Sequence, residues 1–99
     1  MQKIKNLVHQ SIKFGFIEES ESILSDLVDA QCQEMGLLHD ETLDTISLWA
    51  ETLAMLQRWN HLNEVVALLE AAQQKVHHPN LARTIRDILS LRPQQLQTS

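Results

Sequence analysis

A single cysteine, Cys32, stands in a chain of 99 residues, so no internal disulfide forms and a reducing compartment is expected. Two glycines and two prolines leave little turn punctuation, and no run of β-branched residues alternates at period two. With so few glycines there is no loop to cradle a phosphate; P-loop, G-x-G-x-x-G and G-x-S-x-G patterns are all missing. No apolar run approaches the roughly 18–20 residues of a membrane span, so membrane insertion is not expected. The opening MQKIKNLVHQ has no continuous apolar stretch and no small-residue cleavage site. It therefore does not read as a signal peptide, and a cytoplasmic location is expected. Basic residues are missing from the middle of the chain. Between Phe14 and Gln57 there are ten acidic side chains and no Lys or Arg. That block carries −10, the first thirteen residues +3 and Arg58–Ser99 +2, for a net charge of −5. A nucleic-acid partner is not expected, because phosphate binding needs clustered Lys and Arg.

What is present is helix-forming sequence, rich in Leu, Ala, Gln and Glu. Apolar spacing predicts five helices. The first covers about 2–14, with Ile4, Leu7, Val8 and Ile12 inward, and stops at Gly15. The second covers about 17–35 and stops at Gly36. Ile17, Ser20, Ile23, Leu24, Leu27 and Val28 form its stripe; Glu18, Glu21, Ser22, Asp26 and Asp29 lie opposite. The third covers about 41–59, capped by Asp40 and apolar on two sides. Asn60 breaks the pattern, and a fourth helix follows at about 61–76 with Leu62, Val65, Leu68, Leu69, Ala72 and Val76 inward. The fifth covers about 81–91, and Pro93 stops it. The length fits a single domain over 1–93, with 94–99 as a polar, fraying tail.

Self-comparison suggests an internal repeat. A shift of 45 lays Gly15-Phe16-Ile17-Glu18-Glu19 over Asn60-His61-Leu62-Asn63-Glu64 and Ile23-Leu24 over Leu68-Leu69. A shift of 39 lays His39, Thr45 and Ile46 over His78, Thr84 and Ile85. The implied unit is helix, turn, helix, connector, in units of about 1–38 and 39–77 with a capping helix at 78–92. On Trp49, Leu53, Leu56, Asn60, Leu62, Glu64, Leu69, Ala72 and His78-Pro79-Asn80, and on Ile4, Leu7, Gly15, Ile17, Glu19, Leu24 and Leu27, the chain resembles the tetratricopeptide (TPR) family. The likeness is to the longer kinesin-light-chain variety and covers nearly the whole chain. It implies an all-α fold of antiparallel helix-turn-helix repeats, a TPR-like α-solenoid. At the three helix-crossing points where the family has small residues stand Val8, Ser20 and Leu27, then Leu53, Val65 and Ala72. Most of these are large, and a plain helical bundle is the alternative architecture.

Candidate chemistry is sparse. Five histidines occur without HExxH or paired-cysteine spacing, so no metal is expected. Cys32 has no sequence-near partner and reads as a small, partly buried residue. The acidic block reads as a solvated face, and no catalytic residue or cofactor is expected. The expected role is that of a non-enzymatic protein-binding module.

In the family the first helix of each unit lines a concave groove. Carried over, the resemblance implies partner binding by Lys5, His9, Ile12, Ala50, Ala54, Gln57, Arg86 and Leu89, with Gln2 and Ser47 beside them. That weakly basic groove suits an amphipathic helix or peptide with neutral or mildly acidic flanks. Small acidic chains of this kind are similar to co-chaperones of type III secretion needle subunits. The other expectation is an obligate subunit of a larger complex, associating through an aromatic edge of Phe14, Phe16 and Trp59. Either way the chain is expected in a hetero-oligomer.

Overall fold

The structure, a computed structural model, describes the backbone of residues 2–91 and the side chains of 6–91. The side chains of Gln2 and Lys5, and the tail 94–99, lie outside that range. The described residues form five α-helices and no strand: α1 (Gln2–Lys13), α2 (Ile17–Glu34), α3 (Asp40–Met55), α4 (Trp59–Lys75) and α5 (Pro79–Leu89). The molecule measures 37 × 36 × 17 Å. Its thickness fits two helix layers at their usual 8–10 Å spacing, so every helix keeps one face on the core and one in solvent.

The core has two parts. The larger joins Leu43, Ile46, Ala50 and Leu53 of α3 to Leu62, Val65, Val66 and Leu69 of α4, to Leu81, Ile85 and Ile88 of α5, and to Val28 of α2. The smaller is Val8, Leu24 and Leu48, from α1, α2 and α3, with Ile12 against it. Trp49 packs on both.

Helix ends follow local chemistry. After α1, Phe16 N–H reaches Ser11 C=O at 2.8 Å and Gly15 N–H reaches Ile12 C=O at 3.0 Å, with Gly15 at φ +91°. This crossed pair of bonds is a Schellman closure, which wants a left-handed residue that glycine supplies without strain. Gly36 ends α2 in the same backbone region.

Several boundaries differ from the sequence expectation. Helix α3 stops at Met55, and Asn60 lies inside the first turn of α4. The reversal is at Leu56–Arg58, where Arg58 N–H reaches Leu53 C=O at 2.9 Å and Gln57 N–H reaches Ala54 C=O at 3.0 Å. Gln57 takes φ 58°, the role that Gly15 plays after α1. The two turns therefore match at an offset of 42 residues, and the 45-residue alignment is out of register. Trp59 accordingly begins α4 and does not end α3.

The cap of α3 is His39, whose Nδ1 accepts the Glu41 N–H at 3.1 Å; Asp40 is the first helical residue. Helix α5 begins at Pro79, where a proline costs no hydrogen bond. Thr45 and Thr84, 39 residues apart, each donate to the carbonyl four residues back, at 2.9 and 2.7 Å.

Four residues expected inward, Leu7, Ile23, Leu68 and Val76, are exposed. Conversely Glu21, expected in solvent, is only 8% exposed. Its Oε1 accepts from Arg58 Nη1 at 2.7 Å and its Oε2 from Trp49 Nε1 at 3.2 Å. Arg58 also lies 3.7 Å from Glu18. The Trp49 ring meets His61 edge-on at 5.1 Å. A near-buried carboxylate persists here because both its oxygens have donors.

Candidate functional site

Helices α3 and α5 lie side by side and run in the same direction. Asn80 Nδ2 donates to Asp40 Oδ1 at 2.7 Å, tying their first turns together. One turn further on, Asp44 and Arg83 share a cleft; Ser47 faces Asp87; and Glu51 shares a second cleft with Ser90 and Leu91. The wall from α3 is the stripe 40, 44, 47, 51, and that from α5 is 80, 83, 87, 90. Each stripe falls on one helix face. The first cleft holds about 300 Å³ and the second about 230 Å³. They share Ser47 and Asp87, so they form one continuous open groove. From Asp40 to Glu51 it follows roughly 16 Å of helix, at 1.5 Å per residue.

The walls are polar. Leu43 and Ile88 beneath them are each 1% exposed and belong to the larger core, and half-buried Leu91 sits at one end. Asp40, Asp44, Glu51 and Asp87 face one cation, Arg83, for a net of −3. Asp40 is engaged by Asn80 and lies 3.9 Å from His78 Nε2. The ion pairs among the described residues otherwise involve Arg58, Glu18 and Glu21, away from this groove.

The residues expected to bind a partner are not gathered into this groove; of the wider expected set, only Ser47 lines it. Ala50 is 0% exposed and belongs to the larger core, so it offers a partner no surface. Ala54 and Leu89 are half-buried, and Leu89 packs on that core. Gln57 is exposed but sits in the α3–α4 turn. Arg86 is exposed on α5 beside the groove. His9 is exposed on α1, and Ile12 is half-buried against the smaller core. Lys5 falls on α1. On the aromatic edge, Phe14 is 75% and Phe16 57% exposed. Trp59 is half-buried and packs on the larger core.

Sequence reasoning misses Asp40, Asp44, Glu51, Arg83 and Asp87 as groove residues. The available signal is the acidic 40, 44, 51 spacing opposite the apolar 43, 46, 50, 53 stripe. Other chemistry is thin. Burial, aided by Asp29, pushes the Cys32 thiol above its ordinary pKa, so at neutral pH it stays protonated and a poor nucleophile. Among the described residues no three His, Cys, Asp or Glu side chains converge as a metal site. No described helix is long and apolar enough to cross a membrane. Compared with protein-family models, curated proteins and solved structures, the chain matches none.

Proposed function

We propose that the chain is a non-enzymatic protein-binding module, a small chaperone or adaptor holding a segment of a partner in the α3–α5 groove. The observation that carries this reading is the groove itself: two helices running together, with a continuous open channel between them on the solvent side. It can seat about three helical turns of a partner, or a shorter extended stretch. The TPR-like resemblance supports the same use of such a face, and service to a type III secretion needle subunit in the cytoplasm is one concrete form. The reading is tested with Ser47→Trp, which places an indole where the two clefts meet. Loss of the native partner, with helicity and melting temperature retained, is expected; unchanged capture removes the groove from consideration.

The second reading, an obligate subunit of a larger complex, draws on the exposure of Phe14 and Phe16, with Leu7 also exposed on α1. Large apolar side chains left in water at one edge are a common mark of an association surface. Phe14→Ser/Phe16→Ser tests it. If that variant loses the partner while Ser47→Trp keeps it, the edge is the binding face.

A further inference from the structure

Resting on the second reading's edge, we infer that its occupant is a second copy of this chain, in a two-fold pair that lays α1 of each copy on α2 of the other. The α1–α2 hairpin leaves four large apolar side chains in water: Phe14, Phe16, Leu7 at 62% and Ile23 at 44% exposure. Leu7 and Phe14, two helical turns apart, fall on one face of α1, and Phe16 and Ile23, spaced alike, fall on one face of α2. Phe14 and Phe16 flank Gly15, so both faces run to the same tip of the hairpin. Charge decides what covers them. The first thirteen residues carry three lysines and no acid, whereas α2 carries Glu18, Glu19, Glu21, Asp26, Asp29 and Glu34 and no base. Lys13 stands next to Phe14, and Glu19 and Asp26 share the face of Phe16 and Ile23; all three charged side chains are exposed. Among the described residues Lys13 has no carboxylate, and Glu19 and Asp26 no cation, within 4.0 Å. Setting α1 on α1, or α2 on α2, would bring like charges together; α1 on α2 brings opposite charges to both halves of a two-fold interface. One chain thus supplies both the lysine-bearing and the carboxylate-bearing face, and the edge is complementary to itself. The face runs about 18 Å along α1 and about 20 Å across two helices, small for a stable interface, so the pair forms at roughly 10–100 μM and dissociates on dilution.

The test is sedimentation velocity of the whole chain from about 5 to about 500 μM, at about 50 mM salt. Circular dichroism checks that each variant is folded. Wild type should pass from monomer to dimer with a Kd of roughly 10–100 μM, and the dimer should weaken as salt rises to about 300 mM. Phe14→Ser/Phe16→Ser should raise the Kd by about tenfold or more. Lys13→Glu and Glu19→Lys/Asp26→Lys should each weaken self-association several-fold. An equimolar mixture of those two variants should pair more tightly than either alone, because their heterodimer restores opposite charges in both halves of the interface. A wild type that stays monomeric at about 500 μM overturns the second copy, as does a dimer that Phe14→Ser/Phe16→Ser leaves intact. A mixture no tighter than its components overturns the seating of α1 on α2. If wild type is monomeric while Phe14→Ser/Phe16→Ser still loses the native partner, the second copy is wrong and the edge reading stands. If that variant keeps the partner as well, the edge reading itself fails.

Discussion

Around the α1–α2 turn the described core consists of Val8, Leu24 and Leu48. Around the α3–α4 turn, Leu53, Leu62, Val65, Val66 and Leu69 close over one another and are sealed by Leu81, Ile85 and Ile88 of α5. Yet the two turns have the same hydrogen bonds at an offset of 42, one built on Gly15 and the other on Gln57. The difference teaches which level of structure decides the fold at each place. In the first hairpin a glycine makes the reversal locally, and among the described residues the buried apolar side chains behind it are Val8, Leu24 and Leu48. In the second no local residue favours the reversal, and burial on both sides holds a glutamine in the left-handed region at a cost of about 1–2 kcal/mol.

Leu62→Ala, in the larger core, should break the comparison most. A fully buried leucine there should cost about 2–5 kcal/mol, read as a fall in the urea midpoint. Leu24→Ala, the same truncation at a fully buried leucine of the smaller core, should cost about 2–3 kcal/mol, near the low end of that range; an equal loss at both sites would mean the cores are not unequal. Next, Glu21→Ala strips Arg58 and Trp49 Nε1 of their acceptor and should cost about 1–3 kcal/mol. Much of Arg58 remains in water, which places the result toward the lower end of that range.

The turns themselves should respond with opposite signs. Gly15→Ala, at φ +91°, should destabilise by about 1 kcal/mol, while Gln57→Gly should stabilise by roughly 0.5–1 kcal/mol in the same denaturation assay. Two changes of the same sign would end the equivalence of the turns. The smallest effect is expected of Phe14→Ser/Phe16→Ser. Both side chains are exposed, so the midpoint should move by less than about 0.5 kcal/mol, while solubility rises.

The helices that end at glycine are legible in the sequence, because Gly15 and Gly36 mark their own stops. The end of α3 is not. Leu56 and Trp59 continue the apolar spacing of α3, and nothing in Leu56-Gln57-Arg58 announces a turn. The repeat register suffers with it: at 45 Trp59 pairs with Phe14, whereas the turn geometry pairs it with Ile17. Glu21 is hidden for a different reason. A glutamate on a helix reads as solvent-facing unless its partner is known, and Arg58 lies 37 residues away. The groove residues are obscured when groove positions are taken from family resemblance and not from this chain's own acidic spacing on α3.

Glu21 has one more consequence. Apolar contacts such as Leu24 on Leu48 tolerate sliding, because they depend on area and not direction. A carboxylate whose two oxygens each answer a different donor does not. If α2 slipped by one turn along α3, the carboxylate would travel about 5.4 Å and leave both the indole and the guanidinium. The pair of bonds therefore acts as an alignment pin. It sets where α2 sits along α3, and with it the angle at which the first hairpin leaves the rest of the molecule.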